Sequence, residues 1–204
     1  IEARIDTAAL AQYLSVGYVG APNALFAGMR KLPPGHRLVV EEGRVDIRAY
    51  WSLKPEIDGN RTEKAWIDEL RSEMERAVRE QMVSDVPIGA FLSGGIDSSA
   101  VVAFMSRHTD QPVRTYSIGF AGSSGAALYN ELPHARAVAQ AFGTTHREIL
   151  VQPDVAALLP QLLWHMDEPV ADAAFITTYL VSKFAREDVT VILSGVGGDE
   201  LFGG

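Results

Sequence analysis

The chain has 204 residues, 47% of them hydrophobic and 22% charged, and 18 basic against 26 acidic side chains leave a formal net charge of −8. That length allows one sizeable core plus a piece of a second domain. The acidity argues against a nucleic-acid partner held by a general basic field, but not against a small anion held by backbone N–H groups and a cation. The absence of cysteine excludes disulfides, zinc thiolates and a cysteine nucleophile within these residues. No run of 18 apolar residues occurs, so no membrane partner is expected. No basic–apolar signal segment stands at Ile1, so the expected compartment is cytoplasmic. The glycine-rich end at Gly203-Gly204 reads as an internal stretch of a longer protein.

Residues 1–54 read as a small α+β piece. Asp6 is placed to cap a short helix over Ala8 to Leu14. Pro22 to Gly35 reads as a loop. The runs Arg37–Val40 and Arg44–Ile47 around Glu41-Glu42-Gly43 predict a β-hairpin with glycine in the turn. The polar stretch 55–61 reads as a linker, and 62–204 as a second domain. There, Trp66, Leu70, Met74, Val78 and Met82 recur every four residues. This predicts a long amphipathic helix, opened by Asn60 with Glu63 three residues on, whose stripe packs on a core.

Short apolar runs then alternate with helical stretches. Strands are predicted over 88–92, 113–120, 146–151 and 189–193. Helices are predicted over 98–107, 131–142, 155–166 and 173–186, with Asn130 as N-cap and Gly143 as terminator of the second. Pro160 should kink or restart the third. Strands separated by helices mean βαβ units and a parallel sheet with helices on both faces. Ligands then bind at the carboxyl ends of strands, in the loops after Leu92, Phe120 and Leu193.

Two of those loops carry chemistry. In Phe91-Leu92-Ser93-Gly94-Gly95-Ile96-Asp97-Ser98-Ser99 a strand runs into two glycines and a helix start. Glycines permit close backbone approach, and a helix N-terminus offers orphan N–H groups and partial positive charge. The pattern suits a di- or triphosphate, with Mg²⁺ between Asp97 and the phosphate oxygens. The same spacing also fits a plain βα turn in which Ser98 or Asp97 caps the helix. No Gly-Lys pair occurs, so this is not the common P-loop. The second loop, Ser194-Gly195-Val196-Gly197-Gly198-Asp199-Glu200, repeats the design. Both loops can face one nucleotide, with Asp97 and Asp199 as metal ligands. Around Asp167-Glu168-Pro169, the two acids are either substrate or metal contacts or a solvated loop, and Asp172 is placed to cap the next helix.

Ser93-Gly94-Gly95-Ile96-Asp97-Ser98 resembles the pyrophosphate-loop signature of the N-type ATP pyrophosphatase superfamily. Together with Asp167-Glu168-Pro169 and Ser194-Gly195 through Gly203-Gly204, it is similar to the B-type, glutamine-hydrolysing asparagine synthetase family. Lys31-Leu32-Pro33-Pro34-Gly35-His36 resembles the end of that family's N-terminal glutaminase domain.

The resemblance implies a HUP-like fold and an ATP- and Mg²⁺-dependent ligase. That enzyme adenylates the aspartate side chain and then transfers ammonia from glutamine. Its partners would be small molecules, and the parent would be a homo-oligomer. By matching motif, Leu92, Ser93, Gly94, Gly95, Asp97, Ser98, Ser99, Ile118, Ser194 and Gly195 would bind ATP. Asp97 and Asp199 would hold the metal, and Asp167 and Glu168 are possible substrate contacts. The family's cysteine nucleophile and a later lysine have no counterpart here, and Val196 stands where the family usually has an acid. Two alternatives stay open. One is a related ligase or cyclase using another carboxylate and amine. The other is a nucleotide-binding module without turnover.

Overall fold

The computed structural model describes residues 2–121 and 130–203. The chain forms two compact units. One comprises Ile1–Gly59 with Ala156–Ala174, the other Asn60–Val155 with Phe175–Gly204.

In the first unit, α1 spans Thr7–Val16. The Asp6 carboxylate accepts from the N–H groups of Ala8 and Ala9 at 2.9 and 3.0 Å, as its sequence position implied. Gly17 ends the helix at φ +84°, a conformation costly for a side chain with a Cβ. Ala9, Val19 and Leu25 form a small core with Leu10 and Tyr13 against it. The predicted hairpin is present as β1 (His36–Glu41) and β2 (Arg44–Ala49), antiparallel with Glu41 opposite Arg44. Its turn residues Glu42 and Gly43 both have positive φ, which matches the twist of a two-residue hairpin.

The second unit opens with α2 (Glu63–Gln81). Its N-cap is Thr62, whose hydroxyl accepts from Ala65 N–H at 3.3 Å, and not the expected Asn60. The stripe divides. Val78 is buried, with Met74 and Met82 packed beside it, whereas Trp66 and Leu70 remain exposed. The expectation that the whole stripe is core holds for its C-terminal half only.

The strands β3 (Ile88–Phe91), β4 (Arg114–Phe120), β5 (Thr145–Val151) and β6 (Val191–Leu193) make one parallel sheet in the order β5-β4-β3-β6. The helices are α3 (Ile96–Arg107), α4 (Leu132–Ala141), α5 (Val155–Met166), α6 (Ala174–Ala185) and α7 (Gly198–Phe202). Pro160 lies inside α5, which continues through it, so the helix does not restart there. The short α7 was not foreseen in the glycine-rich run. The N-cap of α4 is Glu131 and not the expected Asn130, whose Oδ1 nonetheless accepts from Leu132 N–H at 3.2 Å; Asp172 Oδ1 accepts from Ala174 N–H at 2.8 Å at the start of α6.

Strand alternation explains the layering. Ile88, Ala90 and Leu92 share one face of β3 and pack with residues of α2, α3 and α4. Phe91 points to the opposite face, where Tyr116 and Ile118 of β4 meet Val181, Phe184 and Ala185 of α6. Helices therefore cover both faces, as the βαβ pattern predicted. Met105 is 1% exposed in the first of these cores. Met105→Ala is expected to destabilise this unit by roughly 2–5 kcal/mol through lost contacts and a residual cavity. The midpoint of urea unfolding measures this, and a change within error would show that the core collapses around the gap.

Candidate nucleotide site

The sheet order decides where the two glycine loops meet. From β3 the chain crosses to β4 on one side, and β6 joins on the other. The loops after β3 and β6 therefore leave adjacent parallel strands at their carboxyl ends, the usual ligand crevice of such sheets. A cleft of about 880 Å³ opens there.

The first loop braces itself. Ser93 and Ser98 hydroxyls lie 2.9 Å apart, and Gly95 N–H donates to Ser93 Oγ at 3.2 Å. Ser98 Oγ also donates to the Gly95 carbonyl at 3.2 Å. Gly95 occupies the N-cap of α3 with no side-chain hydrogen bond. Neither Asp97 nor Ser98 acts as the cap, so the first-turn N–H groups stay available to an anion. Gly94 has φ +87°, and a Cβ there would meet the backbone of His134 and Ala135 at 2.5 and 2.6 Å. Only glycine lets the loop lie this close to α4.

The second loop closes on the first through its own glycines. A Cβ on Gly195 would meet Ser98 N at 2.7 Å. A Cβ on Gly198 would overlap the Asp97 carboxylate, with Oδ1 at 2.7 Å. Asp97 thus sits against the first residue of α7, and Asp199, the next residue, lines the same cleft. The Ser194 hydroxyl accepts from Val196 N–H at 3.2 Å, and Val196 is 88% exposed on the cleft's rim.

Of the expected nucleotide residues, Leu92, Ser93, Gly95, Asp97, Ser98, Ile118, Ser194 and Gly195 line this cleft. Gly94 abuts α4 instead. The Ser99 hydroxyl is buried and has no hydrogen-bond partner among the described residues. The Leu92 side chain is 1% exposed and belongs to the core, while its carbonyl accepts the Ser117 hydroxyl. Sequence reasoning missed Tyr116, Glu131, Thr177, Thr178 and Phe202, which also line the cleft. Tyr116 shares the strand parity of Ile118, a signal that was available. The threonines carry no sequence signal beyond their helix. Burial first, then the neighbouring Asp188 carboxylate, pushes the Tyr116 phenol up to about 12, and its hydroxyl donates to Asp188 Oδ2 at 3.2 Å.

Mg²⁺ is bound by one or two carboxylates together with phosphate oxygens and water. Two carboxylates on one cleft beside a helix N-terminus match that donor set. Among the described residues, no group of three His, Asp or Glu side chains could hold a metal without a ligand's help.

Glu168 is engaged elsewhere. Its Oε1 accepts from Leu25 N–H at 2.8 Å, and its Oε2 pairs with Lys31. Both oxygens thus have partners within the first unit, which gives Glu168 a structural role there. Asp167 adopts φ +59° in the turn after α5. No helix among the described residues is long and apolar enough to cross a membrane.

Residues 69–204 match the family described as Asparagine synthase, and residues 1–51 match the Glutamine amidotransferase domain. The chain is 38% identical to a putative asparagine synthetase [glutamine-hydrolyzing] 2 of Methanocaldococcus jannaschii, covering 98% of this chain and 38% of that protein. It is 37% identical to asparagine synthetase [glutamine-hydrolyzing] 1 of Bacillus subtilis, covering 98% of this chain and 31% of that protein. It thus spans about a third of the length of these relatives. An NH3-dependent NAD synthetase from Campylobacter jejuni aligns with a TM-score of 0.44 and 17% identity, covering 66% of this chain and 58% of that one. The match across residues 69–204, which contain both glycine loops and the sheet that aligns them, makes this chain a member of the asparagine synthase family.

Proposed function

We propose that this chain is the nucleotide-binding and junction segment of a glutamine-hydrolysing asparagine synthetase. Residues 1–54 end the glutaminase domain, 55–61 link, and 62–204 begin the synthetase domain. The observation that carries the reading is the pair of glycine loops on adjacent parallel strands, with Asp97 seated against Gly198 and both Asp97 and Asp199 on one cleft.

In this reading the α3 N-terminus and Ser93, Gly94, Gly95, Ser98 and Ser99 form the pyrophosphate loop of an ATP site. Ser194 and Gly195 approach the nucleotide from the other side, Ile118 flanks the base, and Leu92 borders it through its main chain. Mg²⁺ held by Asp97 and Asp199 would offset the charge of the departing pyrophosphate. The aspartate side-chain carboxylate attacks the α-phosphorus, forming an acyl phosphate bond and releasing pyrophosphate. Ammonia from glutamine then forms the C–N bond as AMP leaves with its electron pair, and a base takes the extra proton. Activation is needed because a free carboxylate is a poor electrophile.

The test uses the intact protein that carries this chain. Aspartate-dependent exchange of label between pyrophosphate and ATP, followed by asparagine formation with glutamine, is the expected pair of results. Exchange that needs no aspartate, or needs a different carboxylic acid, would favour a relative that joins another carboxylate and amine.

Val196 cannot accept a proton, and its exposure leaves it no packing role. Val196→Ala is therefore expected to change ammonium-supported turnover by less than about tenfold, whereas losing the true base costs roughly 10²–10⁴. Abolished amide formation with intact exchange would instead assign position 196 to the second half-reaction.

A further inference from the structure

We infer that the link between Lys31 and Glu168 is a positioning device that couples glutamine hydrolysis to amide formation. The inference rests on the ligase reading above. Its starting point is a mismatch between sequence and fold. Residue 168 lies in the stretch matched by the asparagine synthase family, and residue 31 in the stretch matched by the amidotransferase domain. Yet Ala156–Ala174 folds in one compact unit with Ile1–Gly59.

Three polar links join these segments. Glu168 Oε1 accepts from Leu25 N–H at 2.8 Å. Glu168 Oε2 pairs with the Lys31 ammonium, which also donates to the Val19 carbonyl at 2.6 Å. Ala171 N–H donates to the Gly17 carbonyl at 2.8 Å, where a Cβ on Gly17 would meet Ala171 Cβ at 3.3 Å.

Val19 and Leu25 are core residues of this unit, so one Glu168 oxygen is tied to core main chain directly and the other through Lys31, whose ammonium is held by the Val19 carbonyl. The Glu168 side chain is 17% exposed, which spares the pair some of the screening that makes exposed ion pairs weak. Charged hydrogen bonds of this kind set geometry as well as energy. Within the same segment Asp172 Oδ1 accepts from Ala174 N–H at 2.8 Å.

Coupling has a physical requirement. Ammonia that escapes to water near neutral pH is protonated and ceases to be a nucleophile. The geometry at this junction therefore bears on how much of the released ammonia becomes product. It has no bearing on either half-reaction supplied with its own reagents.

The experiment compares Lys31→Met, Lys31→Arg and Glu168→Gln with the parent in the intact protein. It measures glutamine hydrolysed per asparagine formed, turnover with saturating ammonium, and aspartate-dependent exchange between ATP and pyrophosphate. Lys31→Met and Glu168→Gln are expected to raise the hydrolysis-to-product ratio about tenfold or more, the scale of one charged hydrogen bond. Ammonium-supported turnover and exchange should stay within about twofold, a difference too small for one lost hydrogen bond. Lys31→Arg, which keeps the charge, should restore the parental ratio. The two sides of the pair are tested separately, so failure of one variant to fold leaves the other. An unchanged ratio, or an equal fall in all three measurements in folded protein, would overturn the inference. A parent that forms no amide from either nitrogen source would overturn the ligase reading itself.

Discussion

Replacing Asp97 by alanine is expected to weaken Mg-ATP use by about 100-fold or more, through loss of a metal-mediated charge contact. The residue stands in the first turn of α3, where a carboxylate interacts well with the helix dipole but repels a naked phosphate. A cation between the two resolves that conflict, and Asp199 on the same cleft can approach the cation from α7. Asp97→Asn is the sharper variant because it keeps the shape against Gly198 while removing the charge. Both variants should leave the urea midpoint close to the parent value. Exchange between ATP and pyrophosphate at parental rates in either one would end the assignment of Asp97 to the metal.

Substituting Gly198 by alanine is expected to reduce the same exchange by a comparable factor, on the order of 100-fold, if the displaced carboxylate leaves the metal. The added Cβ would overlap the Asp97 carboxylate, so either the side chain or the second loop must move. Overpacking of this kind strains a structure by roughly 1–3 kcal/mol. Here the strain falls on two loops whose mutual approach builds the cleft. Gly197 provides the control. A Cβ there meets nothing within 4 Å, although its φ of +105° still strains a side chain. Gly197→Ala should lose stability without the same loss of pyrophosphate exchange. Equal activity losses in the two variants would mean that loop conformation, and not the contact with Asp97, controls the site.

The parallel sheet, its helices and the two glycine loops were legible in the sequence because each is written in local patterns. Apolar runs of strand length, helices between them, and Gly-Gly before an acid need no knowledge of what packs where. Asp6 capping α1 and the hairpin at Glu42-Gly43 are local for the same reason: their partners lie two or three residues away. Local pattern also set the limits. Both Asn60 and Thr62 are acceptable caps, and only the backbone geometry selected Thr62. Trp66 and Val78 share one helical stripe, but only Val78 meets the core formed with α3 and the sheet.

Tertiary structure alone decided three matters. Strand order put β6 beside β3, which brought Gly195 and Gly198 against Ser98 and Asp97 across about 100 residues of sequence. Side-chain direction brought Thr177 and Thr178 to the cleft from α6. The third was the set of partners at Glu168, which beside Asp167 reads in the sequence either as a substrate or metal contact or as part of a solvated loop. A carboxylate's role depends on which donors reach it. Here Leu25 N–H and the Lys31 ammonium, more than 130 residues away in sequence, occupy both of its oxygens. Sequence specifies the chemistry that each side chain can perform, and long-range packing determines which of those capacities remain free for a ligand.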